Sequence, residues 1–141
     1  MAEFTLDKFG ISKDRKMELI YWCRQYREWK ARLESYDALI KAGSVDEVYK
    51  HDLSFSDKVG SAAISRTPFI NNIDIFDACL DEACNHDDET KRLMFDGIIH
   101  GLSYDKMEAR RGTLPISRSN YYSIYKYFLV LVHLTLRSNE H

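Results

Sequence analysis

Over the first third of the chain, apolar side chains recur in alternating steps of three and four: Leu19, Trp22, Tyr26, Trp29, Leu33, Tyr36 and Ile40. This spacing is the a/d seam of a heptad helix. Arg24, Arg27, Glu28, Lys30, Arg32 and Glu34 lie between the seam positions and give a charged outer surface. Ser12 stands ahead of the pattern as an N-cap and Gly43 behind it as a stop, so one helix is predicted over residues 13–41, roughly 43 Å long. A stripe carrying Trp22, Tyr26, Trp29 and Tyr36 needs a cover. Two covers are open: a second copy of the helix, making a homodimeric coiled coil, or the later helices folded back along it.

Residues 43–66 have no period and are rich in Ser, Asp and Gly, as a linker is, with one helical turn expected near Val45–Lys50. The helical period resumes at Thr67-Pro68, a cap followed by proline at the first helical position. Phe69, Ile73, Phe76, Leu80 and Ala83 then form an apolar stripe, while Asp74, Asp77, Asp81 and Glu82 fall largely off it. A further helix follows in "DDETKRLMFDGIIHG", acidic in its first turn and stopped at Gly101. Ser103 caps a short helix over 104–111 that Gly112 ends, "TLPI" turns the chain, and Ser117 caps a last helix from 118 to about 136. The expected fold is all-α. It has a long heptad helix in residues 1–42, a linker over 43–66, and a helical domain over 67–141 whose residues 103–136 form a helix-turn-helix.

Composition agrees with this. Six glycines and two prolines in 141 residues leave long uninterrupted segments, and 45% hydrophobic residues suffice for a core. The most apolar stretch, "YFLVLVHLTL", is about half the length of a membrane span and contains His133, so it is expected to be a buried helix, with no membrane contact. Cys23, Cys79 and Cys84 lack disulfide-framework spacing and no signal-peptide pattern opens the sequence, so a reducing, intracellular setting is expected.

Charge narrows where a nucleic acid could bind. The net charge is −2, but residues 71–90 carry seven acids and no Lys or Arg, whereas 101–141 carry six Lys/Arg against three Asp/Glu. DNA binding is therefore expected at the C-terminal end and not in the middle. On the last helix, Tyr121, Ile124, Tyr125, Phe128 and Val132 share one face, and Ser119, Tyr122, Ser123 and Lys126 lie nearly opposite, beside Arg118. Hydroxyls and cations at a helix N-terminus suit base edges and phosphates in a major groove. Arg110 and Arg111, closing the preceding helix, suit flanking phosphates. The competing reading is an ordinary helical corner whose outer face happens to be polar.

Other chemistry is weakly supported. Cys79, Cys84 and His86 have a C-x4-C-x-H spacing, but a fourth ligand is not evident and paired cysteines on one helix are more often small buried residues, so no metal is expected. His100 fits a helix C-terminus better than a catalytic base. No nucleophile motif, phosphate loop or dinucleotide turn is present, and neither an enzyme nor a cofactor is expected.

"GLSYDKMEARRGTLPISRSNYYSIYKYFL" resembles the end of the phage late-transcription regulators of the RinA/ArpU-like group, whose C-terminus is similar to the sigma-factor region that reads the −35 promoter element. The resemblance is carried by Gly101-Leu102-Ser103-Tyr104, by Ile116-Ser117-Arg118-Ser119 and by Tyr121-Tyr122. It extends more weakly to the aromatic N-terminal helix and to "SAAISRTPFINN". The turn "GTLPIS" is longer than the usual sigma-like turn. The resemblance implies a sequence-specific, DNA-binding activator of phage or prophage late genes, working at a promoter with host RNA polymerase in the bacterial cytoplasm. Nothing in the chain resembles the separate sigma domain that melts promoter DNA. Two other classes fit the same elements: a packaging protein of terminase-small-subunit type, and an interaction protein whose helix-turn-helix no longer binds DNA.

Overall fold

In the computed structural model, which describes residues 6–45 and 66–139, Ser12 caps as its position predicts, its hydroxyl accepting the Arg15 backbone N–H at 3.1 Å. A short 3₁₀ turn, Leu6–Phe9, precedes it. The helices are α1 (Lys13–Arg24), α2 (Tyr26–Val45), α3 (Thr67–Ala83), α4 (Asp88–His100), α5 (Tyr104–Arg111) and α6 (Arg118–Asn139). Among the described residues every regular element is helical, so the fold is all-α. None of these helices is long and apolar enough to cross a membrane.

The helix expected over 13–41 is two helices. At Gln25, φ is −81° and ψ −3°, and its N–H reaches the Trp22 carbonyl three residues back at 3.2 Å, a tightened last turn. The buried residues of α1 are Leu19 and Cys23, one turn apart, and α1 packs against α4 and α6. A straight heptad helix would turn Leu19 and Trp22 inward instead, and Trp22 is only half-buried. Nor does Gly43 stop the second helix, which continues to Val45. Most of the expected linker lies outside the described residues.

The chain divides into two units. One unit takes the residues up to Gln25 together with Ile75 onward, and the other is Tyr26–Asp74. Residues of α1 thus fall in one unit with the C-terminal helices.

Within Tyr26–Asp74, Tyr36 stacks on Phe69 with centroids 5.9 Å apart, Arg32 lies over the Phe69 ring at 5.7 Å, and Arg66 pairs with Asp37 at 2.9 Å. Tyr26 and Trp29, both buried, meet edge to face at 6.4 Å.

The larger unit is built around aromatic and aliphatic side chains of α3, α4 and α6. Phe76 contacts Phe128 at 5.2 Å and Phe95 at 5.9 Å, both edge to face. Leu93, Met94, Ile98, Leu129, Val130 and Val132 are buried with them. The stripe expected on α3 holds: Ile73, Phe76 and Leu80 are buried and Asp74, Asp77 and Glu82 exposed. That helix starts at Thr67 itself, with the Phe69 and Ile70 N–H groups both bonding the Arg66 carbonyl. Asp87 caps α4 by accepting the Thr90 N–H at 3.0 Å, and Gly101 ends it in the left-handed conformation at φ +63°. His133, on α6, accepts the Arg15 Nε–H at Nδ1 (3.0 Å), tying α1 to the C-terminal helix.

Candidate nucleic-acid interface

The helical corner forms where its caps predict. Ser103 accepts the Lys106 N–H at 3.3 Å and opens α5; Gly112, at φ +82°, ends it. Ser117 accepts the Asn120 N–H at 3.1 Å and opens α6. The long turn between them is held by two contacts the sequence does not reveal. Leu114 is buried, and the Tyr104 hydroxyl donates to the Ile116 carbonyl at 2.9 Å.

On α6 the two faces separate as expected. Tyr121, Phe128 and Val132 are fully buried, Ile124 and Tyr125 half-buried, and Ser119, Tyr122, Ser123 and Lys126 exposed. The Tyr121 hydroxyl donates to the Leu102 carbonyl at 2.7 Å, and the rings of Tyr104, Tyr122 and Tyr125 surround it. Burial, with smaller contributions from Tyr122 and Asp96, pushes the Tyr121 phenol up to about 12, and burial also raises Tyr125. A phenol whose folded pKa is raised keeps its stabilising effect below the unfolded value, near 10, and loses it as pH climbs toward the folded value. Stability is therefore expected to fall between about pH 10 and 12, with phenolate absorbance appearing in step with loss of helix. Ionisation of every tyrosine in a chain that stays helical would contradict the burial of this cluster.

The three arginines are not equivalent. Arg110 is exposed, and no carboxylate pairs with it among the described residues. Arg111 pairs with Asp96 of α4 at 3.2 Å. Arg118 pairs with Asp105 of α5 and lies over the Tyr104 ring at 5.1 Å. The Arg118 hydrogen bond holds the Asp105 carboxyl below its ordinary range. Tyr122 also has an internal task, its hydroxyl accepting the Tyr104 N–H at 3.1 Å in the first turn of α5. Among the described residues, Ser119, Ser123 and Lys126 thus remain the outer-face side chains of α6 that bond nothing within the corner itself.

The seam residues lie apart from this face. Leu19 and Trp22 are on α1, whereas Tyr26, Trp29, Leu33, Tyr36 and Ile40 are on α2. In the single chain Trp29 is 3% exposed, and Leu33, Tyr36 and Ile40 are half-buried. Val130 is buried as well, while Leu134 stays 47% exposed. Cys23, Cys79 and Cys84 are free, buried thiols, and burial raises all three, Cys84 to about 12. His86 pairs with Asp81, which also bonds Lys91 at 2.7 Å. Among the described residues no group of three His, Cys, Asp or Glu side chains is placed to hold a metal ion. His100, closing α4, pairs with Asp96 at 2.7 Å. No family model matches the chain, and neither a curated protein nor a solved structure does.

Proposed function

We propose that the chain is a sequence-specific DNA-binding transcription activator of phage or prophage late genes, acting at a promoter with host RNA polymerase in the bacterial cytoplasm. The late-gene and polymerase parts rest on the resemblance of residues 101–129 to the RinA/ArpU-like regulators. The DNA-binding part is supported by one observation: α6 carries Ser119, Ser123 and Lys126 exposed on one side of a helix whose other side, Tyr121 and Phe128, is fully buried. A recognition helix needs this arrangement, with a fixed back and a free polar front at its N-terminal half. In this reading Ser119, Tyr122, Ser123 and Lys126 meet base edges, and Arg110, Arg111 and Arg118 meet phosphates.

The test is selection of bound duplexes by the full chain, followed by anisotropy on variants. Ser123→Ala and Lys126→Ala each weaken binding to the selected sequence by about 1–3 kcal/mol and narrow its margin over random DNA. Arg110→Gln lowers the slope of log K against log salt by about one and weakens all duplexes alike. Asp105→Asn runs the other way. It removes a carboxylate from the DNA side and frees Arg118, at little cost to stability because the pair is exposed, so binding tightens. A chain that selects no sequence, with variants indistinguishable from wild type, sinks the reading.

A further inference from the structure

Beside the outer face of α6 lies a cavity of about 290 Å³, lined from α1, from α6 and from the Gly101–Ser103 corner. Three cations enter it, Lys16 and Arg24 from α1 and Lys126 from α6, and its lining contains no Asp or Glu. Among the described residues no carboxylate pairs with any of the three. Arg24 is instead positioned by apolar and backbone surroundings. It lies 5.6 Å from the Tyr21 ring centroid and so close to Gly101 that a Cβ there would stand 2.5 Å from its Nη2.

Two hydroxyls complete the lining. Tyr122 accepts the Tyr104 N–H and Ser103 accepts the Lys106 N–H. Among the described residues neither hydroxyl donates to a protein acceptor, so each keeps its proton for an outside acceptor. Three like charges around one recess raise its potential and favour an anion. A ligand that uses all five groups needs several acceptor oxygens pointing in different directions. A tetrahedral phosphate has them, and a guanidinium beside ammonium groups is a common way to hold one.

We propose that this cavity binds a phosphate group, with Lys16, Arg24 and Lys126 supplying charge and Tyr122 and Ser103 supplying hydrogen bonds. The volume is near the low end of small-ligand pockets, about 300–1,000 Å³, which suits a phosphate with the atoms next to it. Tyr122 and Lys126 also belong to the outer face of α6, so the expected source is a backbone phosphodiester next to the bases that this face meets, with these two side chains at the border between base edge and phosphate, and α1 then extends the DNA surface. That choice of source rests on the proposed DNA reading; the phosphate chemistry does not.

The full chain is titrated with inorganic phosphate at constant ionic strength and followed by NMR, and duplex binding is measured against salt, for wild type, Lys16→Gln and Lys16→Gln/Arg24→Gln. The site requires saturable shifts at Lys16, Arg24, Ser103, Tyr122 and Lys126 that the double variant loses, or a salt slope about one lower in the double variant with all sequences weakened alike. A lower slope assigns the site to DNA. Saturable shifts with an unchanged slope assign it to a free phosphorylated ligand. Because Arg24 packs on Gly101, Lys16→Gln alone must move the same readout in the same direction in a chain with wild-type helicity. A wild type that binds no duplex sinks the DNA reading and leaves the phosphate titration to decide the site. Absence of saturable shifts together with an unchanged slope, or with no duplex binding, overturns it.

Discussion

Phe128→Ala is expected to remove about 3–5 kcal/mol of stability, the usual cost of deleting a buried phenyl ring. Phe128 has no exposed surface, and its ring stands edge to face with Phe76, which meets Phe95 in the same way. Deleting it empties the place where α3 and α6 meet, and its loss also ends one aromatic pair, worth about 0.5–1.5 kcal/mol beyond area. Against a total stability of about 5–15 kcal/mol, this approaches unfolding at physiological temperature. Denaturant titration by circular dichroism reads the change directly. A loss under about 1 kcal/mol would show that the three-ring cluster does not hold the helices together. The same variant should lose DNA binding together with fold, whereas Ser123→Ala keeps the fold, and this contrast separates core residues from reading residues on one helix.

The order of the C-terminal elements is legible because the signals there are local. Ser12, Ser103 and Ser117 each accept an N–H within their own first turn, and Gly101 and Gly112 adopt positive φ where the helices end. Which face of α6 is buried can also be read, since Tyr121, Phe128 and Val132 keep one helical period. The N-terminal helix is read in part: residues 13–45 are helical apart from a tightened turn at Gln25, and the seam positions are buried or half-buried, but a 3-4 spacing does not say that Cys23 is taken up too. Leu19 and Cys23 are buried together with α1 packed on α4 and α6, and the turn at Gln25 separates them from the next buried seam residues, Tyr26 and Trp29.

The site is partly hidden for a related reason. Residue type marks Arg111, Arg118 and Tyr122 as able to reach DNA, but Asp96, Asp105 and the Tyr104 N–H are 15, 13 and 18 residues away from them in sequence and beside them in space. Lys16 and Arg24 give no signal at all, because nothing in residues 13–24 places that helix against the Gly101–Ser103 corner.

Gly97→Ala is expected to destabilise the chain by about 1–3 kcal/mol, although alanine in a helix is ordinarily the better residue by about 1 kcal/mol. Gly97 lies in the last turns of α4, and a Cβ there would overlap the Tyr121 hydroxyl and stand 3.1 Å from its Cζ. The ring cannot swing aside cheaply. It is fully buried, its hydroxyl is tied to the Leu102 carbonyl at 2.7 Å, and the rings of Tyr104, Tyr122 and Tyr125 crowd it. Overpacking of this kind costs about 1–3 kcal/mol, and breaking the part-buried bond to the Leu102 carbonyl adds about 1 kcal/mol, so together they outweigh the gain in propensity. Tyr121→Phe alone gives up that bond at about 1 kcal/mol. In the double variant the overlapping atom is gone, so Gly97→Ala should cost far less in a chain that already carries Tyr121→Phe than in wild type, a favourable coupling of about 1–2 kcal/mol. Denaturant titration of the four proteins measures it. Strict additivity would mean that Tyr121 does not dictate the glycine, and that α4 and α6 approach each other for some other reason.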